Sequence, residues 1–212
     1  MSAVELFADF DKEYIKQHWA REKERFPWLY DTLVFYVDGF SEDVLSGCWA
    51  PFSYGYCLGL KVPSVPKGYL RPLAVTGICK NYEGQILLGN RSDFVSEHKG
   101  LWDLLPSGSV DITSAINEIP DPLKQLKSEF EEELGKEFIF DNELVAINTP
   151  VGAGPIDLIY TISLTENFDL NLDKQAHEEH RDLAFYNIKA ALELLPPTSR
   201  DVLSWCTESK EI

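Results

Sequence analysis

Apolar residues between 121 and 135 recur every three or four positions, which is the spacing of one face of an α-helix. The side chains of this apolar stripe are Leu123, Leu126, Phe130 and Leu134. Asp121 and Pro122 suit the N-cap and the first turn, and Gly135 can adopt the left-handed conformation that ends many helices. The pattern therefore predicts a helix whose stripe docks on a core.

Three carboxylates of the same segment lie beside the stripe. Glu129, Glu132 and Glu133 stand at i, i+3 and i+4, so a helix gathers them on one face about a turn long. Like charges at this spacing destabilise a helix by about 0.2–0.5 kcal/mol per pair unless a cation lies among them. Mg²⁺ prefers carboxylate oxygens and is the expected cation, with Mn²⁺ as the alternative. The ordinary alternative is a solvated acidic face.

Short β-branched and aromatic runs predict strands on both sides of this helix. The runs are 32–37, 73–79, 85–88, 100–106, 143–149, 156–164 and 177–186. Asp38-Gly39 and residues 81–84 are turn signals. Further helices are predicted at 11–25, at 188–195 and near the C-terminus, where Thr198 or Ser199 would be the cap. This order predicts an α/β protein with a mixed sheet covered on two faces.

The first seventy residues differ in character from the rest. Aromatic residues crowd the stretch 49–60, and we expect them to form a second layer of core, with a wall that stacks on a base or sugar as the alternative. Residues 62–72 contain three prolines and a glycine, which is typical of a boundary. Residues 1–70 are therefore predicted to be an aromatic-rich extension that packs on the core as a substrate wall or a homodimer surface, and 71–212 to be the main domain.

Charge and composition narrow the function. The net charge is −16, from 35 acidic and 19 basic residues, which argues against a nucleic acid polymer or an anionic membrane as the partner. No signal peptide and no bilayer-spanning apolar run is visible, so a cytoplasmic location is expected. The four cysteines lack zinc-site spacing and are expected to be reduced structural thiols. The four histidines show no ligand spacing on a shared helix.

The acidic helix and the turn before it resemble the box of the Nudix hydrolases, written G-x5-E-x7-R-E-U-x-E-E-x-G-U with U apolar. The residues on its second half, E, U, E, E and G, are Glu129, Phe130, Glu132, Glu133 and Gly135. Gly108 matches the opening glycine and follows W-D-L-L-P-S, where the family often has W-x-x-P-G-G. The resemblance covers about residues 71–195. It implies a Nudix-like α-β-α sandwich, here with an N-terminal extension.

Three features depart from the box. Ser128 stands where the family has arginine, Lys136 replaces the last apolar residue, and the interval from Gly108 to Ser128 is longer than the pattern. The first glutamate of the box has no secure equivalent, and Glu118 is a candidate. The family's arginine holds the carboxylates by charge-assisted hydrogen bonds, a role that Lys124 or Lys127 would partly fill.

The resemblance implies Mg²⁺-dependent cleavage of the diphosphate bond of a nucleoside diphosphate linked to another moiety, such as a nucleotide sugar or ADP-ribose. The implied metal ligands are the Ser107 carbonyl, Glu129, Glu132 and Glu133. The catalytic candidates are Glu129, Glu133 and Glu179, with Glu178 beside the last, and the candidates for small-molecule nucleotide binding are Arg91, Trp102 and Gly108.

Two other functions remain open on the same scaffold. A Nudix-fold nucleotide-binding or regulatory module with weak or no catalysis would account for the serine at position 128. An isomerase lacks a convincing catalytic cysteine, since Cys79 lies in an apolar strand where a thiol is usually inert.

Overall fold

The computed structural model describes residues 12–27, 29–41, 44–61, 71–95, 98–139, 141–149, 154–165, 168, 170 and 179–209. Its elements are α1 (Lys12–Arg25), β1 (Leu33–Ser41), β2 (Val44–Pro51), α2 (Phe52–Lys61), β3 (Arg71–Lys80), β4 (Ile86–Arg91), β5 (Trp102–Leu104), β6 (Ser107–Ser109), α3 (Pro122–Leu134), β7 (Asp141–Asn148), β8 (Ile156–Ser163), β9 (His180–Tyr186), α4 (Ile188–Leu194) and α5 (Pro197–Glu208).

These elements group into two compact units. The first comprises Met1–Ala74, Ser109–Asp121 and Thr149–Ile156, and the second comprises Val75–Gly108, Pro122–Asn148 and Asp157–Ile212. Residues 62–70 lie outside the described residues. The predicted domain boundary after residue 70, and the role of the extension before it, therefore stay predictions.

The core of the first unit is rich in aromatic rings. Its buried side chains are Ile15, Trp19, Val34, Tyr36, Ala50 and Cys57. Phe52 and Tyr56 of α2 meet the Trp19 ring edge-on, with centroids 6.0 and 5.5 Å away. The aromatic stretch of β2 and α2 thus forms a layer of core, as predicted.

The predicted turn at Asp38-Gly39 is wrong, because β1 continues through it to Ser41. The register with β2 shifts between Val37 and Gly39, so the glycine lies at a β-bulge and not at a turn. The Ser46 hydroxyl of β2 donates a hydrogen bond to Asp38 Oδ1 at 2.8 Å, which links the bulged part of β1 to β2.

The second unit is built on a mixed sheet. β4 pairs antiparallel with β3, β5 and β9, and β7 pairs antiparallel with β8. β8 also pairs with β3, and the Leu164 amide donates to the Lys80 carbonyl at 2.8 Å. Because Leu164 follows β8 and Lys80 ends β3, these two strands run in the same direction. This parallel pair among antiparallel ones confirms the predicted mixed sheet.

Helices of the second unit cover both faces of this sheet. Successive residues of a strand point to opposite faces, and Ile78 of β3 packs in one cluster with Ala191 of α4 and Leu203 of α5. Cys79 points the other way, toward α3. Burial raises the pKa of the Cys79 thiol, and the charge of Glu133 on α3 raises it further.

Helix α3 has the predicted bounds and docks by the predicted stripe. It begins at Pro122, and Gly135 directly after it has a φ of 60°, the left-handed conformation expected at a helix end. Leu126, Phe130 and Leu134 are fully buried. The acidic side of the helix therefore lies next to this buried stripe.

The predicted cap of the last helix is wrong. Helix α5 begins at Pro197, with Pro196 in the N-cap position and no side-chain cap bond. A proline in the first turn needs no partner for an amide hydrogen, which removes one of the groups that a cap would satisfy. The Ser199 hydroxyl donates instead to Asp103 at 2.5 Å.

None of the helices in the described ranges is both long enough and apolar enough to cross a membrane. All four cysteines are free thiols, and Cys57, Cys79 and Cys206 are buried.

Truncating the centre of the α3 stripe should destabilise the second unit strongly. Phe130 is 0% exposed and meets Phe138 edge-on at 5.1 Å, so Phe130→Ala should lower the free energy of unfolding by about 3–5 kcal/mol in urea denaturation. Phe94 is 66% exposed, and the matched Phe94→Ala variant should change it by less than about 0.5 kcal/mol. Equal effects of the two variants would contradict the docking of α3.

A buried carboxylate bridges two strands of the second unit. Asp157 Oδ2 on β8 accepts a hydrogen bond from the Thr76 hydroxyl on β3 at 2.8 Å. Burial raises the pKa of Asp157 to about 7, and the Asp103 charge adds to this rise while the Thr76 hydrogen bond opposes it. Ionising Asp157 therefore costs free energy in the folded state.

This cost predicts a pH-dependent stability difference between the wild type and Asp157→Asn. The folded-state pKa is raised, so the wild type keeps its full relative stability below about pH 4 and loses it as the pH rises through about 7. The expected loss relative to the variant is roughly 2–4 kcal/mol. Urea denaturation between about pH 5 and pH 8 measures most of this range, and a constant difference would contradict the predicted ionisation.

Candidate active site

The acidic side of α3 lies against the short strand β6 in the second unit, where the sequence predicted a turn. The Ser107 backbone N–H donates to Glu133 Oε1 at 2.8 Å. A side chain on the next residue, Gly108, would collide with the Glu129 carboxylate. Glycine at this position therefore lets the strand approach the helix closely. The structure brings together four residues that the sequence predicted for the site: Ser107, Gly108, Glu129 and Glu133.

A histidine that the sequence did not predict lies on the other side of Glu133. His180 Nε2, at the start of β9, is 2.8 Å from Glu133 Oε2, and the two side chains are only 1% and 4% exposed. The four histidines show no metal-ligand spacing on a shared helix, so the sequence did not indicate a site role for His180. The usable signal was its position directly after Glu178 and Glu179 in the segment H-E-E-H.

Room for the His180 ring comes from the neighbouring strand. Gly89 on β4 pairs with Leu183 of β9, and a Cβ on Gly89 would lie 2.5 Å from His180 Nδ1. Any larger residue at position 89 would push the ring away from its present place. The glycine on β4 and the carboxylate on α3 therefore enclose the imidazole from two directions.

The buried carboxylates are electrostatically crowded. Burial raises the pKa of Glu129 to about 9, and the charges of Glu133, Glu132 and Glu179 add to the rise. The Gln125 amide opposes it by donating to Glu129 Oε1 at 2.8 Å. Burial likewise raises the pKa of Glu133, against the hydrogen bonds from His180 and Ser107. Ionising these carboxylates therefore costs free energy in the folded protein.

The other two acidic residues of the site are exposed. Ser128, at the position of the box arginine, donates its hydroxyl to Glu132 Oε1 at 3.0 Å. Ligand atoms of Glu133, Glu179 and His180 all lie within 4.8 Å of one another, so Glu179 reaches the buried pair from the solvent side. Glu178 lies outside the described residues.

The donor chemistry of this group fits a hard divalent cation. Carboxylate oxygens are the ligands that Mg²⁺ and Mn²⁺ prefer, and a cation would reverse the crowding that now raises the pKa of Glu129. The ligand atoms that lie within 4.8 Å of one another belong to Glu133, Glu179 and His180. The half-buried Glu129 and the exposed Glu132 stand on the same helix as Glu133, and the Ser107 carbonyl belongs to the neighbouring strand β6.

Two residues predicted to bind the substrate lie on neighbouring strands. Arg91 ends β4 and pairs with His180 in the register of β4 and β9, which places it next to the carboxylate group. The Trp102 ring packs on the core and meets Tyr186 edge-on at 5.2 Å. Trp102 thus has a structural role, and its contact with substrate stays a prediction.

Glu118 and Lys127, two of the candidates for replacing the missing glutamate and arginine of the box, each contact an aromatic side chain. Glu118 has a positive φ of 66°, and its carbonyl accepts from the Trp49 indole at 2.8 Å within the first unit. Lys127 Nζ lies 5.7 Å from the centroid of the Phe138 ring. The recorded ion pair of Glu133 is with His180.

Comparison with known proteins gives matches in structure only. No protein-family model and no curated protein sequence matches this chain. The MutT protein from Methanosarcina mazei Go1 aligns with a TM-score of 0.53 and 20% identity, over 70% of this chain and 100% of that one. DR0079 from Deinococcus radiodurans aligns with a TM-score of 0.55 and 14% identity, over 82% and 98%. At these identities the likeness shows a shared fold.

The close approach of Gly108 to Glu129 should appear as an energetic coupling. Gly108→Ala forces the Glu129 carboxylate to move and should destabilise the protein by about 1–3 kcal/mol. In a Glu129→Ala background the obstacle is absent, so the same alanine should cost much less. Urea denaturation of the two single variants and the double variant gives the coupling energy, and strictly additive effects would contradict the contact.

Proposed function

We propose that this protein, which has the Nudix fold, is a divalent-metal-dependent hydrolase of nucleotide derivatives. The bond cleaved is the diphosphate bond of a nucleoside diphosphate linked to another moiety, such as a nucleotide sugar or an ADP-ribose type compound. The observation that supports the proposal is the pair of α3 carboxylates, the buried Glu133 and the half-buried Glu129, gathered against Ser107 and Gly108 of β6.

The acidic residues of α3 have the role of holding Mg²⁺ or Mn²⁺ in this proposal. The ligands would be Glu129, Glu132 and Glu133, with the carbonyl of Ser107. When bound, the cation supplies charge neutralisation at the phosphate oxygens and favours ionisation of water. The net charge of −16 is compatible with a phosphorylated substrate, because the cation reverses the local sign.

The proton of the attacking water needs an acceptor near these carboxylates. Glu179 is exposed and lies within 4.8 Å of the Glu133 and His180 ligand atoms, so it can take a proton and release it to solvent. Glu129 is the alternative acceptor, although burial and neighbouring charges raise its pKa. Arg91, next to His180 in the strand register, is the candidate for a contact with the phosphates.

One observation favours a second function. Ser128 gives the helix a neutral hydroxyl where the Nudix box has arginine, and that hydroxyl bonds the exposed Glu132. A nucleotide-binding or regulatory module with weak or no catalysis would tolerate this change. Such a module should be stabilised thermally by a nucleotide derivative without hydrolysing it.

A panel of nucleotide sugars, ADP-ribose and dinucleoside polyphosphates with Mg²⁺ or Mn²⁺ tests the hydrolase directly by release of products. Glu133→Gln and Glu132→Gln should each lower turnover about 10–100-fold, because each removes a metal ligand. Glu131→Gln is the matched control, since Glu131 is exposed on the same helix and outside the proposed ligand set.

The outcomes of this panel separate the two functions. No turnover by the wild type of any compound that stabilises it would favour the binding module. Wild-type turnover that is unchanged by Glu133→Gln would exclude the proposed site. Equal losses in the Glu131 control and the two ligand variants would indicate a general charge effect.

A further inference from the structure

We propose that His180 is a positioning residue for the metal-ligating carboxylate of Glu133. In this role it supplies, from β9, the donor that the α3 helix lacks at Ser128. The inference rests on the proposed function, since it concerns the same site. It goes beyond that function by assigning a task to a residue outside the box.

Both carboxylate oxygens of Glu133 have a nitrogen partner. Oε1 accepts a hydrogen bond from the Ser107 amide, and Oε2 lies 2.8 Å from His180 Nε2, the same distance. A carboxylate that holds a cation is ionised and can only accept, so the proposed role requires the hydrogen on Nε2. Donors on both oxygens fix the plane of the carboxylate. Each oxygen keeps further lone-pair capacity for a cation.

Strand pairing and a neighbouring glycine hold His180 in place. β9 begins at this residue, and the Ser92 amide donates to the carbonyl of Glu179, the residue before it, at 2.7 Å. The register of β4 with β9 shifts between Asn90 and Arg91, directly opposite this end of β9. Gly89 limits the ring on the side away from Glu133. The strand pairing and the glycine together hold the imidazole against the carboxylate.

Helix geometry explains why the donor must come from another element. Ser128 reaches Glu132, which is four residues ahead of it and on the same face. Glu133 is five residues ahead and 4% exposed, beyond the reach of a short hydroxyl. A buried carboxylate that loses its donor bears a desolvation cost and turns more freely. Loss of such a supporting partner typically weakens metal affinity 10–100-fold.

The competing possibility is that His180 itself binds the metal. Its Nε2 lies against Glu133, and its Nδ1 is buried beside Gly89 with no hydrogen-bond partner. A Cβ on Gly89 would already lie 2.5 Å from Nδ1, so a metal has no room on that side, and a metal at Nε2 would have to displace Glu133. The geometry therefore assigns His180 to the support of Glu133. The two roles differ in what a glutamine can replace, because its amide donates a hydrogen bond but is a poor ligand.

The test is a calorimetric titration of the full chain with Mn²⁺, without nucleotide, which measures the Mn²⁺ affinity. Thermal unfolding of each variant confirms that it is folded. His180→Leu removes the donor and should weaken Mn²⁺ binding about 10–100-fold. His180→Gln restores an N–H donor and should bind within about threefold of the wild type. Gly89→Ala displaces the ring and should weaken binding. His98→Gln is the matched control at an exposed histidine, and it should leave the affinity unchanged.

Each outcome bears on the positioning role. Unchanged affinity in folded His180→Leu would overturn it and leave the proposed hydrolase standing. Equal losses in His180→Gln and His180→Leu would overturn it in favour of a direct ligand. If His180→Leu does not fold, retained binding in His180→Gln with weakened binding in Gly89→Ala supports the role, and any other result overturns it. A wild type that binds no Mn²⁺ would refute both the positioning role and the metal-dependent function.

Discussion

The buried carboxylate of Glu133 is the constraint on which the site depends. Its oxygens contact the Ser107 amide of β6 and the His180 ring at the start of β9, so one helix and two strands meet at one group. Burying a charge is costly unless hydrogen bonds replace its lost water, and two donors do so here only in part. Burial still raises the pKa of Glu133 and that of Glu129, and neighbouring carboxylates raise the pKa of Glu129 further. Carboxylates with raised pKa values that lie close together are typical of functional sites, because they make no evident contribution to stability.

The parts of the fold that sequence could predict are those encoded by neighbouring residues. Helix α3 shows its apolar period, its proline start and its glycine end within fifteen positions, and all three are found in the structure. The turn at Asp38-Gly39 was predicted wrongly because a bulge and a hairpin turn use the same glycine, and only pairing with β2 distinguishes them. The predicted cap of α5 is wrong for a similar reason. The Ser199 hydroxyl donates to Asp103 of β5, which is far from it in sequence.

The same difference between local and long-range information applies to the candidate site. Helical spacing predicts that Glu129, Glu132 and Glu133 share a face, because that information is local. Spacing cannot show that Glu133 becomes buried while Glu132 stays exposed, since this depends on how the helix is rotated against the sheet. His180 contacts Glu133 across 47 positions of sequence, and the two glutamates before the histidine are a signal for a site but do not identify Glu133 as its partner.

The serine at position 128 acquires a different meaning once these contacts are known. From sequence, the missing arginine indicates a weakened carboxylate site. In the structure the hydroxyl serves the exposed Glu132, and the donor for the buried Glu133 comes from β9. A carboxylate requires a donor of suitable geometry, from whichever element lies beside it. The residue that supports Glu133 can therefore lie far from the helix in sequence, provided that the fold brings it beside the carboxylate.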